Sequence, residues 1–172
     1  MEQDYDRDFP NLRKLGYSRT SDPHYHNCIA YAAGDLQRAW WPDDHPPNSS
    51  NYWPPGVPHH EETDAVFTQA FATLGYSPCP DGKWEPGYEK IAIYVWRDLV
   101  RHMAKQQANG TWRSKLGGDE DIKHTLEGLE GPCYGKVVAF LKRRIPGTPA
   151  PSNPTFLDNV YQIIKRFMTR YR

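Results

Sequence analysis

Residues 22–35, DPHYHNCIAYAAGD, place a single cysteine, Cys28, directly before a run rich in alanine. Ile29, Ala32, Ala33 and Leu36 recur at helical spacing, and Asp22 or Asn27 can cap the N-terminus, so a helix is predicted over NCIAYAAGDLQRAW. That helix would begin on the thiol. The positive end of a helix favours the thiolate, which is the nucleophilic form of cysteine. Two other fates are open to Cys28. Free cysteine is among the most buried residue types, and a central alanine-rich helix would bury it. Alternatively, His24, His26 and Cys28 lie at i, i+2 and i+4, share one side of an extended segment, and are all legitimate zinc ligands. No CxxC or HxxxH unit accompanies them, so a fourth ligand would have to come from His59, His60, His102 or Cys79.

Working outward, residues 1–23 form a polar lead-in. WPDDHPPNSSNYWPPGVPHHEET carries six prolines and no periodicity, so it is a loop. Its aromatics Trp40, Trp41, Tyr52 and Trp53 need a surface to pack on, which suits a lid or a cleft wall. TDAVFTQAFATLGYSPC is a second helix, capped by Thr63 or Asp64 and stopped by Gly75. EKIAIYVW, LVRHMAKQQ, GTWRSKLG and YGKVVAFLKR read as strands, with ANG as a hairpin turn and DEDIKHTLEGLEG as a short helix or turn. Helices followed by an antiparallel meander make an α+β domain over residues 24–144. IPGTPAPSNP, residues 145–154, is a proline-rich linker. Residues 155–172 form a basic amphipathic helix through Phe156, Val160, Ile163, Ile164 and Phe167.

The 172 residues fit one domain, and three scattered cysteines are not a disulfide framework. No apolar window reaches membrane-spanning length and the first residues lack a signal layout. The expected location is therefore cytoplasmic, or outside by a route without a classical signal peptide. Charge is balanced overall, with 21 basic and 21 acidic residues, but unevenly placed. From Lys142 onward stand seven basic residues against Asp158, which leaves 14 basic and 20 acidic residues before them. Such a tail would dock on its own acidic body or on a protein partner; the acidic body speaks against nucleic acid.

A nucleophilic Cys28 needs a base brought to it in space. His102, on the strand LVRHMAKQQ, is the candidate. NCIAYAAG as the start of a Cys-bearing helix and HMAKQQANGTWRSKLG as a His strand, turn and polar strand resemble the papain-like cysteine hydrolases of the NlpC/P60 and CHAP type. NCIAYAAGD, NG.W.SKLG and DI.H also resemble a bacterial domain family of unassigned function. The papain-like resemblance implies a Cys-bearing helix packed on an antiparallel sheet, with catalytic Cys28 and His102 and a third group at Ser114. Serine accepts the imidazole N–H only weakly, so Asp121, Asp119 or His124 could replace it. Tyr25, Asn27, Trp40, Trp41 and Trp53 would line the substrate cleft, with Tyr17 or Tyr25 assisting the oxyanion. No cofactor or metal is implied. The reaction would be acyl transfer on a peptide or protein amide through a thioester. The alternatives are a catalytically silent interaction domain of the same fold and a small zinc-binding domain using His24, His26 and Cys28.

Overall fold

The computed structural model describes residues 5–20, 25–42, 51–116 and 120–148. His24, Asp119 and the expected C-terminal helix lie outside them. A seven-stranded sheet carries the fold. Its strands are β1 (Ser18–Arg19), β2 (Ser77–Cys79), β3 (Tyr88–Trp96), β4 (Leu99–Gln106), β5 (Trp112–Lys115), β6 (Asp121–His124) and β7 (Lys136–Arg144). They run in the order β1-β6-β5-β4-β3-β7-β2, with every neighbour antiparallel. Helices α1 (Tyr5–Asp8), α2 (Pro10–Leu15), α3 (Cys28–Ala33) and α4 (Asp64–Ala72) and a 3₁₀ turn at Leu126–Leu129 complete it. The α+β class and the antiparallel meander are thus as expected from the pattern.

Side chains alternate across the sheet and divide the interior in two. On one face Ile91, Ile93, Val100, Met103 and Leu141 meet α3, α4 and the tryptophan loop, with Ile29, Phe67, Phe71, Trp40 and Trp53 buried together. On the other, Ala92, Tyr94, Ala104, Trp112 and Ile122 pack against Phe9, Leu12 and Leu129 from α2 and the 3₁₀ turn. Residues 5–20 of the lead-in are therefore structured. Pro10 starts α2 where a missing N–H costs nothing, and Phe9 and Leu12 bury themselves under the sheet.

Three local outcomes depart from the sequence pattern. Helix α3 stops at Ala33, not at Trp40. Gly34 turns left-handed at φ 84 and returns its N–H to the carbonyls of Ala30 and Tyr31. Asp35 then accepts from Gln37 N–H, Arg38 and the Trp40 indole, which holds the chain in a loop. DIKH is a strand and not a helix, because Ile122 pairs with Ser114 and His124 with Trp112 along β5. Finally, β4 carries a bulge. Val95 opposes Val100 while Tyr94 opposes His102, so Arg101 is left unopposed and exposed.

The basic run Lys142–Arg144, read with the tail, belongs to β7. Lys142 donates to Glu85 at 2.9 Å and Arg143 to Glu89 at 2.6 Å, so this part of the charge is settled on the chain's own acidic body.

Asn27 is the hinge between α3 and the tryptophan loop. Its Oδ1 accepts from Ala30 N–H at 3.0 Å and Trp40 N–H at 3.2 Å, and its Nδ2 donates to the Trp40 carbonyl at 2.8 Å. Asn27→Ala is expected to cost about 2 kcal/mol, the upper end of the range for an N-cap, because the Trp40 backbone loses its partners as well. Urea unfolding of the variant against the parent measures this directly.

Candidate functional site

Cys28 is the first residue of α3 and packs on Met103 of β4. Burial pushes its thiol up to about 11, even though the N–H groups of Met103, Ile29 and Cys28 and the charge of Lys115 pull the other way. At neutral pH the sulfur is a protonated thiol, 7% exposed.

His102 does not share its face. It opposes Tyr94 and stacks flat on Tyr134, with ring centroids 4.0 Å apart and planes 8° from parallel. Among the described residues neither ring nitrogen has a hydrogen-bond partner. Burial, followed by the neighbouring charge of His124, holds its pKa well below the usual imidazole range. The sheet itself stands between Cys28 and His102. The expected dyad is not assembled, and the bulge at Arg101 is the reason. Strict alternation from Val100 would have turned His102 toward α3.

Ser114 also faces away from Cys28. Its Oγ lies 2.8 Å from His124 Nε2, and His124 Nδ1 lies 2.7 Å from the Thr125 carbonyl. The carbonyl can only accept, so Nδ1 carries the proton and Nε2 accepts from the Ser114 hydroxyl. Burial lowers His124 to about 4, which keeps it neutral. This is a serine–imidazole pair in a proton-accepting form, but Ser114 is fully buried and no substrate carbonyl can reach it. It acts as a pin between β5 and β6.

Asp121 is the one expected partner on the thiol's side. Its Oδ1 lies 3.8 Å from His26 Nε2, and Tyr31 of α3 stacks on the His26 ring at 5.9 Å. Opposite Asp121 in the ladder stands Lys115, fully buried, whose charge is felt at Cys28. A histidine, a carboxylate and a lysine therefore gather around the start of α3. The signal for His26 was its i, i+2 spacing to Cys28. Among the described residues no three of His, Cys, Asp and Glu are grouped to hold a metal ion.

The expected cleft residues have other roles. Trp40 and Trp53 are core residues, the latter edge-on to Phe67 at 5.1 Å. The Trp41 indole donates to Glu62 at 3.0 Å and its ring meets Phe67. Asn27 is the cap, and Tyr25 is 98% exposed. Tyr17 lines a different opening, on the far face.

Residues 17–142 match a family described as a domain of unknown function, DUF7689. The chain belongs to that family. No curated protein and no solved structure matches it. Among the described residues of this DUF7689 domain, no helix is long and apolar enough to cross a membrane.

One opening of the DUF7689 domain is a cleft of about 540 Å³ between the α2–β1 connection and the β5–β6 hairpin. Leu15, Tyr17, Trp112 and Leu126 give it apolar and aromatic sides; Ser18, Thr111, Lys123, His124, Thr125 and Glu127 are its polar ones. The Ser114–His124–Thr125 chain fixes the back wall. A second hollow, of about 570 Å³, lies where α3 ends. Its cation, Arg38, is already spent on Asp35 and on the Tyr52 ring 3.8 Å away.

Proposed function

We propose that this DUF7689 domain is a binding module, built on a papain-like arrangement of a Cys-bearing helix against an antiparallel sheet, and silent as a thiol hydrolase. The observation that carries the reading is the placement of Cys28 and His102 on opposite faces of the sheet. A buried thiol near 11 with no strand imidazole beside it has neither the thiolate nor the proton acceptor that acyl transfer needs. The cleft over β5 and β6 is the binding site of this reading. Its aromatic and aliphatic walls around a few fixed polar groups suit a ligand carrying apolar side chains, such as a protein segment.

Alkylation of the native protein tests the reading. Cys28 is expected to react with iodoacetamide more slowly than Cys79 and Cys133, which are half-buried, and no faster than a free thiol of ordinary pKa. Labelling of Cys28 well ahead of the other two at neutral pH would overturn it.

One observation favours a second reading, in which Cys28 retains cysteine-dependent acyl transfer. His26 and Asp121 lie on the thiol's own side of the sheet, and a ligand that drew them together would supply base and orienter from the segment before α3. On that reading His26→Ala would slow alkylation of Cys28 at least tenfold; on the binding reading it would leave the rate unchanged or raise it by opening the site.

A further inference from the structure

Across β4, β5 and β6 the ladder sets three cations side by side. Lys105 opposes Arg113, and Arg113 opposes Lys123. Residues opposed in a ladder share a face, and this row lies on the face of Met103, two residues before Lys105, which packs in the core with α3. Neighbouring strands are about 4.8 Å apart, so like charges in such a row repel. Elsewhere on the sheet paired cations are answered. Lys90 opposes Lys142, and Glu85 lies 3.5 Å from the first and 2.9 Å from the second. Within the row, Lys105 Nζ is 3.0 Å from Glu89 Oε2, and Lys115, farther along β5, opposes Asp121. Arg113 and Lys123 have no ion-pair partner among the described residues.

Arg113 carries a second mark. Its Nε–H is buried with no hydrogen-bond partner among the described residues, although the side chain as a whole is only half-buried. A buried donor without an acceptor costs free energy, which a slight turn of the guanidinium onto an oxyanion would recover. Tyr31 of α3 stands beside it. Burial, followed by the charge of Asp121, pushes the Tyr31 hydroxyl up, while the charge and hydrogen bond of Arg113 pull it down. A phenol that accepts from Arg113 keeps its own proton to donate. The His26 ring, stacked on Tyr31 with centroids 5.9 Å apart, backs that phenol.

We infer that Arg113, Lys123 and Tyr31 form a binding site for a dianionic phosphate group, taken as inorganic phosphate or as the monoester of a small molecule. Two cations without a carboxylate match a charge of about −2, which a phosphomonoester approaches at neutral pH and a carboxylate or phosphodiester does not. Arg113 offers the planar fork, Lys123 a point charge one strand away, and Tyr31 a neutral donor. Lys123 also borders the cleft, but Arg113 and Tyr31 do not, so the phosphate site stands whether or not the cleft holds a ligand.

Proton–nitrogen spectra of the full chain test this by following the Arg113 Nε–H and the Tyr31 amide at constant ionic strength. The probes are inorganic phosphate, phenyl phosphate and the singly charged dimethyl phosphate. Both dianions are expected to shift the two signals saturably, and dimethyl phosphate should bind at least about tenfold more weakly. Tighter binding of phenyl phosphate than of inorganic phosphate would support the site as one for a monoester; the reverse order would support it as one for the free ion. Arg113→Gln and Lys123→Gln should each weaken phosphate binding about tenfold, whereas Arg101→Gln, at the exposed bulge, should leave it unchanged. Should Arg113→Gln fail to fold, Arg113→Lys, which keeps the charge and loses the fork, and the exposed Lys123→Gln carry the test. The absence of a saturable shift would overturn the inference. So would an equal loss in Arg101→Gln, or dimethyl phosphate binding as tightly as the dianions.

Discussion

Gly135→Ala is expected to destabilise the domain by about 3 kcal/mol or more, a large share of the total for a domain of this size. Gly135 sits at φ +79 in a tight loop, where it exchanges both backbone hydrogen bonds with Gly131 at 2.8 and 2.9 Å. A Cβ at this position would overlap the Val95 carbonyl oxygen and stand 2.5 Å from Val95 C and 2.8 Å from Trp96 N. All three are backbone atoms of β3, the central strand between β4 and β7, and cannot swing aside as a side chain could. The loop would have to lift, taking Tyr134 off His102. Gly56 supplies the control. It has nearly the same φ, +81, with nothing within 4 Å of the added carbon, so Gly56→Ala should cost only about 1 kcal/mol. Urea unfolding of the two variants separates collision from backbone preference. Equal losses would mean that the close approach to β3 contributes nothing.

The second large effect is a loss of stability in mild acid. His102 and His124 are buried as neutral rings beneath the 3₁₀ turn and the Gly131–Gly135 loop, and both have folded-state pKa values below the ordinary 6.5. The unfolded chain therefore takes up protons that the folded chain refuses. The stabilisation is fully present above pH 6.5 and is lost as pH falls toward the folded value, about 4 for His124. Over that window His124 alone accounts for roughly 3 kcal/mol, and His102 adds to it in the same direction. Carboxylates do not confuse the upper part of the window. Lys142, donating to Glu85, holds that carboxyl below its ordinary range, and groups of this kind titrate lower still. Urea midpoints between neutral pH and about pH 5 should fall for the parent chain and much less for a His102→Phe, His124→Gln double variant. Should the double variant fail to fold, the ring signals of His124 in the parent report its pKa; a value near 6.5 would refute the account.

What the sequence disclosed and what it withheld follow from how local each feature is. The Asn27 cap, the Thr63 cap of α4 and the long strands β3, β4 and β7 are written in short-range pattern, and they form where that pattern puts them. The strand-turn cadence after His102 points to Ser114, which faces away; Asp121, its substitute just beyond that strand, lies on the thiol's side of the sheet. His102 was assigned to the wrong face because one unopposed residue, Arg101, resets the alternation of β4, and nothing in LVRHMAKQQ marks a bulge. Trp40 and Trp53 sit in an aromatic-rich loop, a pattern that suits a lid or cleft wall as well as a core. Here three aromatic contacts, to Phe67, Phe71 and Tyr52, draw the loop into the interior. The 540 Å³ cleft was invisible for a related reason. Its sides come from residues 15–18, 110–112 and 123–127, three segments joined only by strand order.

The two ends of the sheet bear on how the molecule behaves among its own kind. An exposed edge strand offers a row of unpaired amides to any extended chain nearby, and this sheet has seven strands and therefore two such edges. One edge is β1, two residues long, and the other is β2, three residues long with Pro78 at its centre. Neither is long enough to template a neighbour, and proline has no N–H to lend. Among the described residues the tapering toward these edges is uneven. β3 is paired on both sides from Ile91 to Val95, whereas β2 covers β7 only from Phe140 to Lys142, so residues 136–139 are the stretch a neighbouring strand would meet.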